Sequence, residues 1–165
     1  MRTLIALLMM LIARTAWAEP VVDMNRVMEI ESGGNEMAYN RTSQARGLYQ
    51  ITPICLKDFN EVNGTDYRLG HLFDPQINAR VAYWYINERL PKLLEAQGGP
   101  ITVDRVLAAY NAGSPAVMRA GKSQGTFGAI PDIPETLNYV RKIAEGYDVA
   151  TKQIPIGESA FTASQ

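Results

Sequence analysis

The fold of this chain is decided by the stretch DPQINARVAYWYINE at residues 74–88. Asp74-Pro75 is a helix start signal, a capping residue followed by proline at the first helical position. Apolar residues then recur at helical spacing on two adjoining lines. They are Ile77, Val81, Trp84 and Tyr85 on one line and Ala82 and Ile86 on the other. The stretch predicts an amphipathic helix, which we expect Pro91 to kink or break and Gly98-Gly99 to end.

Similar signals on both sides of this stretch predict further helices. They run from about Asp23 to Ser32, from Thr52-Pro53 to about Val62, from Thr102 or Asp104 to Asn111, and from Pro134-Glu135 to about Asp148, with a short turn or helix at Ser114-Pro115. Residues 121–134 are rich in Gly, Ser and Pro and read as a long loop. No strand shows convincing period-two alternation, although a short hairpin within residues 35–50 or 64–73 stays open. The predicted fold class is therefore mostly α.

Composition is that of an ordinary globular protein. The chain has 165 residues, of which 47% are apolar and 20% charged, so one domain with its own core is expected. Cys55 is the only cysteine, which excludes an intramolecular disulfide. We expect Cys55 to be a small buried core residue.

The first residues are typical of a secretory signal peptide. A continuous apolar run from Leu4 to Ala13 is followed by Ala16-Trp17-Ala18, a small-x-small cleavage site. The run is short for a bilayer span, although an uncleaved anchor or a buried helix is the alternative. The predicted divisions are a signal peptide at 1–18, a folded domain at 19–151 and a flexible tail at 152–165. They imply a periplasmic protein without a stable membrane anchor after cleavage.

Charge argues against nucleic acid as a partner. Cleavage after residue 18 would remove two of the 16 basic residues and none of the 17 acidic ones, so the net charge would fall from −1 to −3. No basic stripe is present to neutralise phosphates.

Glu31 is the residue that points most directly to chemistry. It lies at the predicted end of the first helix, beside Ser32 and before Gly33-Gly34. A glycosidic oxygen leaves readily only when protonated, and a carboxylic acid near neutral pH can protonate it only if its pKa is raised. Burial in an apolar and aromatic cleft would raise that pKa. On position alone, however, a solvated glutamate at a helix end is the commoner interpretation.

Two motifs downstream favour a carbohydrate site. They are Gly47-Leu48-Tyr49-Gln50 and the segment AAYNAG at 108–113. Amide side chains and backbone groups at glycine can hydrogen-bond to the N-acetyl and hydroxyl groups of a sugar, and aromatic faces pack on sugar rings. Each motif alone also fits tight helix or loop packing, so the prediction depends on their combination with Glu31.

Taken in order, the motifs resemble those of the soluble lytic transglycosylase catalytic domain, a relative of goose-type lysozyme. The resemblance covers about residues 22–148. It is carried by ESGGN at 31–35, GLYQ at 47–50, LFDPQIN at 72–78, AAYNAG at 108–113 and IPETLNYV at 133–140. Each string is modest by itself, but their joint order and spacing are specific.

The resemblance implies a single lysozyme-like domain with a groove for peptidoglycan glycan strands and Glu31 as the catalytic acid/base. Such a domain cleaves the β-1,4 bond between N-acetylmuramic acid and N-acetylglucosamine. The acid protonates that bond and then assists attack by the muramoyl 6-hydroxyl on its own anomeric carbon. The product is a 1,6-anhydromuramic end, so a second carboxylate is not obligatory. Compact members open the wall locally for a secretion, conjugation or pilus machine, whose components would be partners.

With His71 as the only histidine and Cys55 as the only cysteine, the sequence has no metal-ligand cluster, and no cofactor is expected. Carried over by position, the resemblance also implies the substrate-binding residues. They are Ser32, Asn40, Gly47, Leu48, Tyr49, Gln50, Tyr110, Asn111 and Tyr139. Two departures stand out. Methionine is usual where this chain has Tyr49, and the Ser-Pro-x-Gly-Ala stretch before the GLYQ string is replaced by NRTSQAR at 40–46 with a one-residue insertion. Asn40 or Ser43 could therefore replace the serine that positions the glutamate in relatives.

Two alternatives stay open. A hydrolytic muramidase of the goose-lysozyme kind would need a second acid to activate water. Asp58, Asp66, Asp74 and Asp132 qualify by chemistry, but Asp74 is better explained as a helix cap and none lies in a motif that indicates water activation. A noncatalytic peptidoglycan-binding assembly factor is the other alternative, and the presence of Glu31 within its motif argues against it.

Overall fold

The structure, a computed structural model, describes residues 22–98, 100–123, 125 and 129–144. Its helices are α1 (Met24–Ser32), α2 (Pro53–Asn63), α3 (Pro75–Trp84), α4 (Leu90–Ala96), α5 (Val103–Ala112), α6 (Ser114–Ser123) and α7 (Pro134–Ala144). A 3₁₀ helix, Leu69–Phe73, precedes α3, and a π-helical segment, Tyr85–Arg89, joins α3 to α4. The predicted mostly helical fold in one small domain is therefore confirmed.

The helices begin where the capping signals predict. The caps are Asp23, Thr52, Asp74 and Thr102, whose side-chain oxygens accept hydrogen bonds from backbone N–H groups in the first turns of α1, α2, α3 and α5. Such a cap contributes about 1 kcal/mol to helix stability, because it satisfies an N–H group that has no partner within the helix. Pro53 and Pro75 occupy the first turn, where a missing N–H costs nothing.

The structure refines two local expectations, at Pro91 and at the start of the predicted loop at 121–134. The disturbance expected at Pro91 takes the form of the π-helical segment before it, and the chain stays helical as far as Ala96. A proline ring crowds the carbonyl four residues earlier, and the wider π turn gives that group room. Of the two forms expected from Ser114, a short turn or a helix, the structure has a helix of ten residues, so the first three residues of the predicted loop at 121–134 are helical.

The hairpin left open within residues 35–50 exists only in minimal form. Two isolated antiparallel bridges join Tyr39 to Arg46 and Arg46 to Ile51. The other candidate region, 64–73, contains the 3₁₀ helix instead. The predicted signal peptide, the flexible tail and the end of the last helix near Asp148 lie outside the described residues.

Helix α5 forms the centre of the core. It packs against α7, α6 and α4, and α7 also packs against α1. Its residues Val106, Leu107, Ala108 and Ala109 are all at most 1% exposed, and the alanines let the neighbouring helices approach closely. Cys55 is buried in this core, as expected. Every helix in the described ranges is too short or too polar to cross a bilayer.

Candidate active site

Glu31 lies in the last turn of α1. The helix ends at Gly33, which adopts the left-handed conformation with φ 62° and donates its N–H to the carbonyl of Glu29. The Glu31 side chain is half-buried, and the Tyr139 hydroxyl donates a hydrogen bond of 2.7 Å to its Oε1. Burial raises the pKa of Glu31 above its ordinary value of 4.5, and the hydrogen bond from Tyr139 opposes this rise without cancelling it. The residue therefore has the environment that a general acid requires.

A pocket of about 220 Å³ opens beside Glu31. It lies where α1 and α5 pack against α7. Its lining consists of Ile30, Glu31, Asn111, Glu135, Asn138, Tyr139 and Lys142. A carboxylic acid with a raised pKa thus faces a cavity lined mainly by groups that can hydrogen-bond to a polar ligand.

Tyr139 fixes the position of the acid. Its side chain is only 6% exposed. Burial, followed by the negative charge of Glu31, raises the pKa of the Tyr139 hydroxyl well above its ordinary range, so this hydroxyl keeps its proton and stays a donor. Tyr139 therefore lies beside Glu31, and its predicted contact with substrate stays a prediction.

Asn111 lines the same pocket, in the last turn of α5. Its Oδ1 accepts a hydrogen bond of 2.8 Å from the Thr136 hydroxyl of α7. Because Thr136 is buried, this contact holds the amide in one orientation. Asn111 is therefore preorganised at the pocket, as its predicted substrate-binding role requires.

The GLYQ segment is tied to the end of α1 and to α5. The Ser32 hydroxyl donates to the Leu48 carbonyl at 2.7 Å, and the Tyr110 hydroxyl donates to the Tyr49 carbonyl at 2.6 Å. Of the residues predicted to bind substrate, Ser32 and Tyr110 thus have their hydroxyls committed to holding this segment next to Glu31. The segment itself does not line the pocket described above.

Asn78 is a residue of this region whose importance the sequence reasoning missed. It is fully buried, accepts from the backbone N–H of Tyr49, and donates to the carbonyls of Arg46 and Leu72. A buried amide with all these partners clamps the GLYQ segment onto α3. The available signal was an asparagine on the otherwise apolar line that contains Ala82.

Gly47 and Gln50 have backbone conformations that fit a tight loop. Gly47 has φ 75°, and a Cβ added there would lie 2.2 Å from the Leu72 carbonyl and 2.3 Å from Asn78 Nδ2. Gln50 is also left-handed, with φ 49°, and its Nε2 donates to the carbonyls of Gly47 and Ala38. Both residues therefore shape the loop, and their contact with substrate stays a prediction.

The two departures from the family pattern lie elsewhere in this region. The Tyr49 ring is 6% exposed and belongs to the core, where burial and then the charge of Asp23 raise the pKa of its hydroxyl. Asn40 and Ser43 are exposed, and their hydrogen bonds lie within their own loop: Asn40 Oδ1 accepts from the N–H groups of Thr42 and Ser43, and Ser43 Oγ accepts from that of Ala45. In this geometry Tyr139 is the group that holds Glu31.

Three polar residues of the pocket were not predicted as site residues: Glu135, Asn138 and Lys142. They lie on α7 at positions i, i+3 and i+7, which share one helix face with Tyr139. That spacing is visible in the sequence, but only the packing of α7 against α1 shows that this face meets Glu31.

A larger cavity of about 310 Å³ lies along the π-helical segment and α4. Its lining consists of Asn87, Glu88, Pro91, Lys92, Glu95 and Ile101, none of them a predicted site residue. Both of its carboxylates are exposed, in contrast to the half-buried Glu31. The chemistry of a buried acid therefore favours the smaller pocket as the active site.

A small helical domain that holds one half-buried glutamate in a polar cleft belongs to the lysozyme-like class. The family model for the transglycosylase SLT domain matches residues 9–133, well over half of the chain, and the chain belongs to this family. Family membership indicates a lytic transglycosylase type of enzyme that acts on peptidoglycan. The match begins within the predicted signal peptide and ends before α7, which supplies Glu135, Asn138, Tyr139 and Lys142 to the pocket.

Proposed function

We propose that this protein is a peptidoglycan lytic transglycosylase in which Glu31 acts as both acid and base. The observation that carries the proposal is the environment of Glu31: it is half-buried, has a raised pKa, and is oriented by Tyr139 at the wall of a polar pocket. In the described ranges, its only hydrogen-bonded partner is the neutral tyrosine, so nothing holds the carboxylate permanently ionised.

Glu31 alone can donate and then recover the one proton that the reaction transfers. Protonated Glu31 gives its proton to the glycosidic oxygen between N-acetylmuramic acid and N-acetylglucosamine as the bond from that oxygen to the anomeric carbon breaks. The resulting Glu31 carboxylate then accepts the proton of the muramoyl 6-hydroxyl as its oxygen bonds to the same anomeric carbon. The products are an N-acetylglucosamine end and a 1,6-anhydromuramic end, and Glu31 returns to its protonated form. Because the nucleophile belongs to the substrate, its orientation supplies much of the rate gain.

A hydrolytic muramidase is the second candidate, and one observation favours keeping it. Glu135 lines the same pocket as Glu31, so a second carboxylate is available there. The four aspartates considered from the sequence do not line this pocket. Asp58 pairs with Arg89, Asp74 caps α3, and Asp66 and Asp132 are exposed.

Mass spectrometry of the soluble products from purified peptidoglycan tests the proposal. We expect muropeptides with 1,6-anhydromuramic ends, which are lighter by one water than the corresponding reducing ends. Reducing muramic ends would assign the protein to the hydrolases instead. If the folded protein binds the wall but releases no fragments, the assembly-factor alternative is correct.

We also propose that the protein acts in the periplasm, where it opens the wall locally for a secretion, conjugation or pilus machine. The apolar run and the Ala16-Trp17-Ala18 cleavage pattern support export. The mass of the protein isolated from the periplasm should correspond to a chain that begins at Glu19. A chain that keeps residues 1–18 and stays with the cytoplasmic membrane would contradict this proposal.

A further inference from the structure

We propose that Lys142 is a specificity residue that binds a carboxylate carried by the lactyl substituent of the muramoyl ring. This inference rests on the proposed function, since it concerns the substrate of the same pocket. Lys142 lines that pocket together with Glu31, and α7 lies outside the residues matched by the family model. Family membership therefore assigns no role to this side chain.

The position of Lys142 is set by two contacts. Its backbone carbonyl accepts a hydrogen bond of 3.1 Å from Nε of Arg26, which anchors this turn of α7 to α1. Lys142 also follows Tyr139 by three residues, so their Cβ atoms lie about 5–6 Å apart on one helix face. Since the Tyr139 hydroxyl is 2.7 Å from Glu31, the lysine lies within one helical turn of the residue that holds the acid.

Among the described residues, Lys142 has no ion-pair partner. The ion pairs among the described residues join Arg26 to Glu29, Lys57 to Glu61 and Arg89 to Asp58, and Lys142 takes part in none of them. Lys142 is exposed, and it is the one cationic residue that lines this pocket in the described part of the chain. A flexible ammonium with three donors suits a carboxylate that approaches from solvent.

Lys142 is not among the causes of the raised pKa of Glu31. The pKa of Glu31 reflects burial first and the Tyr139 hydrogen bond second, and both causes are independent of the lysine. The ammonium is therefore available to the substrate rather than required by the catalytic acid.

The substrate offers a matching group. The sugars of the glycan strand are uncharged, and negative charge enters through the 3-O-lactyl substituent of the muramoyl ring. That substituent ends in a free carboxylate where the stem peptide is missing, and elsewhere it carries a stem peptide with carboxylates of its own. Since the muramoyl ring also contains the anomeric carbon that reacts, its lactyl arm is held close to the site of cleavage. A cation there gains affinity for charged muramoyl residues over neutral analogues.

The test compares Lys142→Met with the wild type on three substrates. They are native peptidoglycan, bare glycan strands whose lactyl carboxylates are free, and peptidoglycan whose carboxylates are capped as amides. The methionine keeps an unbranched apolar stem and the backbone carbonyl that binds Arg26. Lys92→Met is the matched control, because Lys92 is an exposed lysine that lines the other cavity.

We expect Lys142→Met to raise KM about fivefold on a carboxylate-bearing substrate, as befits one partly solvated ionic contact. Its kcat and pH profile should be unchanged, and on capped peptidoglycan it should match the wild type. A defect that is largest on bare glycan identifies the lactyl carboxylate, and a defect confined to native peptidoglycan identifies a carboxylate of the stem peptide.

Equal KM values for the variant and the wild type on every substrate would overturn the proposal, as would an equal defect on the capped substrate or a shifted pH profile. Each of these outcomes requires an active wild type. They are thus distinct from a wild type that cleaves nothing, which would instead refute the proposed function.

Discussion

Two regions of the molecule each hold a partly buried carboxylate. The pocket between α1 and α7 holds Glu31, whose partner is the neutral hydroxyl of Tyr139. The junction of α2 with the π-helical segment holds Asp58, whose two oxygens accept from Nε and Nη2 of Arg89 at 2.8 Å each. Asp58 thus has a permanent counter-ion, and its hydrogen bond is the main reason that the pKa of Arg89 is raised.

The difference separates a structural carboxylate from a chemical one. A bidentate pair links two helical segments and uses both carboxylate oxygens for that link. A carboxylate held by a neutral donor in a half-buried site can be protonated and deprotonated in turn, as acid/base catalysis requires. Glu31 and Asp58 are both partly buried carboxylates, and their different hydrogen-bond partners give them different roles.

The largest expected effect is on catalysis at Glu31. Glu31→Gln keeps the size and can still accept from Tyr139, but it carries no exchangeable acidic proton. We expect wall lysis to fall about a thousandfold, within the range that general acid–base catalysis supplies. Glu29→Gln is the matched control, since Glu29 is exposed on the same helix and pairs with Arg26.

Turbidity clearance of a peptidoglycan suspension measures both variants, with circular dichroism to verify that they are folded. Lysis by Glu31→Gln at the rate of Glu29→Gln would contradict the assignment of Glu31 as the catalytic group.

A smaller effect, on stability, is expected at the other carboxylate. Asp58→Asn should lower the free energy of unfolding by about 2 kcal/mol, because it leaves the guanidinium of Arg89 partly buried without a counter-ion. Urea denaturation measures the loss, with Asp66→Asn as an exposed control. The double variant Asp58→Asn with Arg89→Met should recover part of the stability, and equal losses in the single variant and the control would show that the pair contributes nothing.

The helical framework could be predicted from sequence because its signals are local. Each helix start is marked by a capping side chain that accepts a hydrogen bond from a backbone N–H two or three residues later. The caps are Asp23, Thr52 before Pro53, Asp74 before Pro75, and Thr102. The ends at Gly33 and Gly113 are equally local, since both have positive φ. Glu31 itself could be found because it belongs to an ordered set of such local motifs.

What sequence could not supply depends on contacts between distant segments. Tyr139 was among the predicted site residues, but its hydrogen bond to Glu31 joins residues 108 positions apart and could not be read from the sequence. The pocket residues Glu135 and Lys142, on the same helix, were not predicted. The family resemblance implied that Ser32 binds substrate, yet its hydroxyl donates a hydrogen bond to the Leu48 carbonyl. A polar side chain in a motif indicates that a hydrogen bond is made. Only the packing of the folded chain shows whether its partner is another protein group or a ligand.

A third prediction concerns Tyr139, the neutral partner of Glu31, which stands where Asp58 has the charged Arg89. Tyr139→Phe removes the hydrogen bond that lowers the pKa of Glu31, so this pKa should rise further. Since the reaction begins with protonated Glu31, the limb on which kcat/KM falls with increasing pH should move to higher pH. We expect kcat itself to fall about fivefold, because Glu31 is less well oriented. Movement of that limb to lower pH would show that Tyr139 acts otherwise.

The smallest expected effect is on how protein stability depends on pH when Glu31 is replaced. The folded-state pKa of Glu31 is raised above 4.5, so its contribution to stability is fully present below that pH and is lost as the pH rises through the folded-state pKa. Glu31→Gln has no such charge to bury. Its melting temperature should therefore exceed that of the wild type near neutral pH, and the difference should shrink as the pH falls below 4.5.

Thermal melts over that range, with Glu29→Gln alongside to correct for the loss of one negative charge, measure this difference. A difference that grew towards low pH would mean that the folded protein stabilises ionised Glu31, as a paired carboxylate is stabilised. Glu31 would then be a structural carboxylate like Asp58. The proposed difference between the two sites, a neutral partner for Glu31 and a charged one for Asp58, would no longer explain their roles.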